Sequence, residues 1–251
     1  MLIAVVGKGG VGKTTVTALL VRRLLDARHV PLLVVDADPS NCLGPALGLA
    51  IDRTLADLRD GMRDTPDRPA SMSQAEWLAI RAEDALVENS GFDLLTMGHP
   101  EGAGCYCFVN NVIRDYLDRL TRSYRHVIVD CEAGLEHLSR RTAGKPDRLV
   151  CVVGRAKASA ETVRRALVIY ASLHEGGLPQ LDLILNGFEP DEPLAARLAA
   201  AATLGGARFT RTFTVPWDAR VSALDAEGRS LLELESSSPA LGALDGWESD
   251  A

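Results

Sequence analysis

Aromatic side chains make up only 5% of the 251 residues, so the core has to be built from Leu, Val and Ala. Cysteine is scarce too: Cys42, Cys105, Cys107, Cys131 and Cys151 are too few and too unevenly spaced for a disulfide scaffold. That usage points to a reducing, cytoplasmic setting. No segment approaches the ~18 apolar residues of a membrane-spanning helix. The N-terminus runs straight into a short strand and a glycine loop, which reads as fold rather than signal peptide. Basic charge is in deficit, with 27 Lys and Arg against 34 Asp and Glu and a net charge of −7. A broad nucleic-acid footprint needs the reverse. The last twenty residues hold several acids and no Lys or Arg, the opposite of a basic membrane-surface helix.

The 47% of apolar residues supports a sizeable core. The short apolar run without alternation at Leu2–Val6 predicts a strand buried on both faces, and Leu32–Val35, Val127–Val129, Leu149–Val153 and Leu181–Leu185 read as further strands. Phe92–Met97 and Phe209–Val215 add two more. Helical stretches at Val16–Leu25, Val109–Leu120, Glu161–Leu173 and Leu194–Leu204 fall between them. The recurrence of strand and helix predicts a three-layer α/β fold with a mostly parallel central sheet flanked by helices. One domain over residues 1–251 is expected. A polar surface excursion near 59–90, with a short helix around Ala75–Leu86, interrupts the rhythm, and an acidic tail is expected to fray after 244.

Gly7-Lys8-Gly9-Gly10-Val11-Gly12-Lys13-Thr14 follows the first strand and opens the first helix. It satisfies the phosphate-loop pattern G-x-x-x-x-G-K-[ST] in the required context. Glycines let backbone N–H groups converge on phosphates, and the helix adds its positive end. Lys13 then reaches the β- and γ-phosphates, Thr14 offers a hydroxyl to Mg²⁺, and Thr15 completes the nucleotide-binding run. The sequence thus predicts a Mg²⁺-dependent ATPase. Asp130 ends the strand at Val127–Val129 and reads as the carboxylate that contacts Mg²⁺ through water. Asp36 and Asp38 follow the second strand, where a carboxylate can orient a water, hold a metal-bound water or cap a turn. Asn186, at the end of another strand, offers an amide donor and acceptor to an adenine edge.

Lys8 is a second lysine inside the loop, and the run Lys8–Thr14 resembles the deviant Walker A motif of the MinD, ParA, ArsA and nitrogenase iron-protein superclass. The resemblance implies that Lys8 reaches the partner's nucleotide across a homodimer, much as an arginine finger does. It also implies that Asp38 positions the attacking water, that Asp36 is a Mg²⁺-side contact, and that Pro216 and Trp217 form a wall of the base pocket.

Cys105 and Cys107 offer two thiols at i and i+2, half of a tetrahedral four-sulfur site for Zn²⁺ or Ni²⁺. A dimer would supply the other half. Together with Asp38-Pro39-Ser40-Asn41-Cys42-Leu43-Gly44 and Glu136-His137-Leu138, this pair is similar to the CooC-type nickel-insertion ATPases that mature carbon monoxide dehydrogenase. Cys131 and Glu132 stand where that pattern has a glycine-rich segment, which leaves the client metalloenzyme open. Three other roles stay open beside metal insertion. They are a MinD/ParA-like interaction switch with no metal task, an iron–sulfur scaffold ATPase, and an enzyme that phosphorylates a small molecule.

Overall fold

A strand covered on both faces needs apolar side chains of both parities, and β1 (Leu2–Gly7) supplies them. Ile3 and Val5 point to one face of the sheet, Ala4 and Val6 to the other, and all four are buried. The computed structural model describes residues 1–57, 68–69, 71–98, 107–131, 145–173, 177–203 and 208–250. In it β1 joins β2 (Leu32–Ala37), β4 (Phe92–Thr96), β5 (His126–Cys131), β6 (Arg148–Val153), β7 (Gln180–Asn186) and β8 (Arg211–Val215). With a short strand β3 (Leu86–Glu88) they form an eight-stranded sheet in the order β3-β4-β2-β5-β1-β6-β7-β8. Every pairing is parallel except β3 with β4.

Helices cover both faces, so the expected three-layer α/β architecture is present. On one face α1 (Lys13–Asp26) places Val16, Leu19, Leu20 and Leu24 against Ile3, Val5, Leu32, Val34 and Ile128. On the other, a long helix at Cys107–Arg122 packs Tyr116 and Leu117 with Leu33, Val35, Val127 and Val129. Val163 and Leu167 of the helix Lys157–Leu173, and Leu198 of the helix Pro193–Ala202, complete that layer. In chain order α2 is Leu43–Ala46, α3 is Gln74–Glu83, α4 is Cys107–Arg122, α5 is Lys157–Leu173 and α6 is Pro193–Ala202. Two short helices follow, α7 (Ala219–Ala226) and α8 (Pro239–Gly242).

The expected polar excursion is largely structured where it is described; residues 58–67 lie outside the described set. Ser73 accepts a hydrogen bond from the Glu76 N–H, and the Glu76 carboxylate accepts one from the Ser73 N–H, a capping box that starts α3. The predicted helix over Ala75–Leu86 therefore stops early, and Leu86 instead opens the edge strand β3.

The tail after 244 does not fray. Trp247 is fully buried, its indole N–H donates to Asp182 Oδ2 at 3.0 Å, and the Arg148 guanidinium sits 5.3 Å from its ring. Arg23 of α1 pairs with Glu248 at 2.9 Å and with Asp245 at 2.7 Å. One aromatic among so few therefore closes the N-terminal ends of β6, β7 and β8. Trp247→Ala is expected to destabilise the fold by about 3–5 kcal/mol, the range for removing a large buried aromatic, read from urea unfolding. A frayed tail would give no change.

Candidate functional site

The carboxyl ends of β1, β2 and β5 converge on the phosphate loop, as ligand sites do in open parallel sheets. β1 delivers Gly7, where an added Cβ would lie 2.6 Å from the carbonyl oxygen of Val152. Gly12, the N-cap of α1, has φ 85°, and an added Cβ would lie 2.4 Å from Asn186 Nδ2. Any other residue at Gly12 is thus penalised twice, by its backbone and by its neighbour. α1 has no side-chain cap, so its first N–H groups are available to an anion.

Lys13 is 6% exposed, and its ammonium lies 3.8 Å from Asp38 Oδ2. The Thr14 hydroxyl donates to Asp130 Oδ2 at 2.7 Å. Asp130 is fully buried, and its other oxygen, Oδ1, has no hydrogen-bond partner among the described residues. Burial pushes the Asp130 pKa up to about 7, partly countered by the Thr14 hydrogen bond. An orphaned carboxylate oxygen beside a Thr hydroxyl is the oxygen donor set that Mg²⁺ takes.

Asp36 lies opposite Asp130 in the register of β2 and β5. Its two oxygens accept from the backbone N–H groups of Asp38 at 3.1 Å and Leu43 at 2.9 Å. It therefore folds the loop between β2 and α2, with both oxygens committed to backbone, where the resemblance implied a metal-side contact. Burial raises its pKa to about 6. Asp38 is half-buried; its Oδ1 accepts from the Ser40 N–H at 3.0 Å while Oδ2 faces Lys13. Lys8, Gly9 and Gly10 are exposed at the rim of the loop, and Val11, Thr14 and Thr15 are half-buried.

Asn186 ends β7, and Pro216 and Trp217 directly follow β8, whose Val215 pairs in register with Asn186. The Asn186 amide donates to the Val11 carbonyl at 2.9 Å. Its donor end thus braces the phosphate loop, a role that an adenine-edge reading misses. Trp217 is 68% exposed and free to meet a planar ligand. Asp218 fixes the turn after Trp217: it caps α7 by accepting from the Arg220 N–H at 2.9 Å and also accepts from the Ser238 hydroxyl at 2.6 Å. An Asp directly ahead of a helix is an N-cap signal that could have revealed this tie from sequence.

Cys105 and the segment 132–144 lie outside the described residues. Cys107 opens α4, and its side chain is likewise outside them. Cys131 is buried, and burial pushes its thiol far up, which makes it an inert apolar side chain. Cys42 is exposed beside the site, with its thiol raised by partial burial and by Asp36, Asp38 and Asp130. Among the described residues no group of three or more His, Cys, Asp and Glu is arranged to hold a metal. No described helix is long and apolar enough to cross a membrane.

Because Asp130 holds its proton more tightly in the folded chain than in the unfolded one, it favours folding below pH ~4, the unfolded value. That support is lost as the pH rises through about 7. Asp36, raised to about 6, acts in the same direction. Urea unfolding of protein free of Mg²⁺ and nucleotide should therefore show falling stability between pH 4 and 7. Asp130→Asn is expected to flatten the dependence and to be the more stable protein at pH 7.

Comparison with known proteins agrees with this geometry. Residues 2–232 match the model of the CobQ/CobB/MinD/ParA nucleotide binding domain. An ATP-binding protein of Methanocaldococcus jannaschii is 44% identical over 168 residues, which span 66% of this chain and 66% of that relative. The carbon monoxide dehydrogenase accessory protein CooC of Rhodospirillum rubrum is 31% identical over 249 residues, covering 93% of this chain and 90% of that one. A crystal structure of a ParA family ATPase from Chlorobium tepidum superposes with a TM-score of 0.71 at 17% identity, over 98% of this chain and 96% of the other, and shares the fold. The phosphate loop therefore sits in the fold of P-loop ATPases, and the chain belongs to the CobQ/CobB/MinD/ParA family of nucleotide-binding domains.

Proposed function

We propose that the chain is a Mg²⁺-dependent ATPase that works as a nucleotide-controlled switch between single and paired copies. The observation that carries the ATPase reading is the buried Asp130 with one oxygen bonded to Thr14 and the other without a described partner. When bound, Mg²⁺ would be held by Thr14 and Asp130 and would screen the charge of the β- and γ-phosphates. Lys13, now facing Asp38, turns to the phosphates when ATP enters, which frees Asp38. Asp38 then orients a water, which attacks the γ-phosphorus while the bond to the β–γ bridging oxygen breaks, giving ADP and phosphate. The open N-terminus of α1 and the loop N–H groups hold the anion throughout.

The pairing half of the proposal rests on Lys8, which is exposed and forms no ion pair with a described residue. A lysine held out in solvent contributes little to its own loop and suits the phosphates of a second copy. ATP should shift the protein from single copy to dimer in light scattering, and ADP should not. Lys8→Ala is expected to lose ATP-dependent pairing and about 10²-fold or more in hydrolysis, while ATP binding changes only a few-fold. A Lys8→Ala protein that hydrolyses ATP at the original rate would rule out trans action.

A second reading adds a metal cargo. It is favoured by near full-length similarity to a carbon monoxide dehydrogenase accessory protein and by the Cys105-x-Cys107 pair. On this reading, the pairs of two copies share one Ni²⁺ or Zn²⁺ as substrate, and ATP hydrolysis releases it to a client metalloenzyme apoprotein such as carbon monoxide dehydrogenase. Metal titration should give one ion per two chains, and Cys105→Ser with Cys107→Ser should abolish it with ATP binding intact. One tight ion per single copy would rule out the shared site, and no ion at all would leave the switch without a metal task.

A further inference from the structure

Val11, inside the phosphate loop, is held from two strand ends at once. From β7, the Asn186 amide donates to its carbonyl at 2.9 Å. From β6, the backbone of Gly154 comes so close that an added Cβ would lie 3.3 Å from Val11 Cγ1. Gly154 is itself fixed, because its carbonyl accepts from the buried Ser159 hydroxyl at 2.7 Å.

Arg155 ties these two strand ends to each other. The β6–β7 ladder ends at Val153 and Leu185, and Arg155 carries the connection past it. It follows Gly154 directly, and its Nη1 donates at 2.9 Å to the carbonyl of Gly187, one residue beyond Asn186. The same guanidinium forks onto both carboxylate oxygens of Glu192, at 3.0 Å and 2.6 Å. Glu192 is the N-cap residue of α6. The guanidinium also lies 5.0 Å from the ring of Phe188, which is fully buried. On the other side, the N–H groups of Gly187 and Phe188 both donate to the Val215 carbonyl of β8. The contacts close a ring that runs from Val11 through Gly154, Arg155, Gly187 and Asn186 back to Val11.

Fold stability does not account for this arrangement. The Arg155 side chain is 56% exposed, and an exposed ion pair contributes little to folding. What the arginine does fix is direction, since a planar guanidinium that holds several acceptors at set angles is a stiff strut. We infer that Arg155 is a positioning residue for nucleotide binding. It acts through the Gly187 carbonyl on Asn186, and through Asn186 on the phosphate loop at Val11. The loop is then shaped for the phosphates before they arrive, which reduces the ordering cost of binding. Such shaping serves the bound substrate and the transition state alike. Lys13, Asp38 and Asp130 stand outside the ring, so loss of the strut should appear in KM rather than in kcat. The inference rests on the phosphate loop holding ATP as proposed above.

The test uses the full chain and measures steady-state ATP hydrolysis together with the Kd of ADP in the presence of Mg²⁺ by isothermal titration calorimetry. Arg155→Met is expected to raise both KM for ATP and Kd for ADP about tenfold, with kcat changed less than about threefold. Arg155→Lys keeps the charge but not the fork, and should fall between the original protein and Arg155→Met. Asn186→Ala should weaken nucleotide at least as much as Arg155→Met. If Arg155 acts through Asn186, adding Arg155→Met to Asn186→Ala should cost less than a further factor of about two. Original KM and Kd in Arg155→Met, a tenfold fall in kcat at unchanged KM, or losses that multiply in the double variant would each overturn the inference. A chain that binds ADP but hydrolyses no ATP would refute the ATPase reading, and the Kd comparison would still decide the role of Arg155. The milder Arg155→Lys carries the comparison if the methionine disturbs folding, and its original KM and Kd would then overturn the role.

Discussion

A carboxylate at the centre of a sheet, sealed from water and left with one oxygen unsatisfied, is an unfavourable thing for a fold to contain. Asp130 is such a group as far as the described residues go, and much of the surrounding arrangement follows from accommodating it. Thr14 satisfies one oxygen. Lys13, itself nearly buried, contributes a nearby positive charge, and Asp36 in the adjacent strand is neutralised in part by two backbone N–H groups. Without ligand, the site concentrates negative charge that burial pushes toward protonation. A divalent cation and a polyphosphate together would turn this cost into binding, which is how a strained unliganded site becomes responsive to nucleotide.

The glycine loop makes that exchange geometrically possible. Gly7 and Gly12 admit the backbone of β6 and the amide of Asn186 at distances no side chain would tolerate. The loop is thereby held from β7 by Asn186 as well as by its own strand and helix. The phosphate loop is therefore tied directly to the end of β7, whose neighbour β8 leads into the exposed Trp217 and the Asp218 turn.

Much of this was legible in the residues. Both-face burial of β1, β2, β5 and β6 is written in short apolar runs without alternation, and the phosphate loop carries a pattern with a mechanism behind it. The antiparallel strand β3 was not legible, because three residues beginning with Leu86 hold too little pattern to separate from the end of a helix. The docking of Trp247 was hidden for a different reason. An acidic, glycine-containing stretch reads as solvent-exposed locally, and only the distant partners Arg23, Arg148 and Asp182 reverse that reading. Asn186 was legible as a site residue but not in its bond to Val11, since that contact joins positions 175 residues apart.

The ion pair between Arg23 and Glu248 spans 225 positions and joins the helix after the phosphate loop to almost the last described turn. Residues so remote in sequence meet only after everything between them has been made. During synthesis, the face of the sheet covered by α1 must wait for Trp247 before its packing is complete, while the opposite face closes with helices that end by Ala202. The layer that carries the helix of the nucleotide site thus matures after the opposite one. A nascent chain would gain the full packing behind its phosphate-loop helix only once Trp247 has emerged.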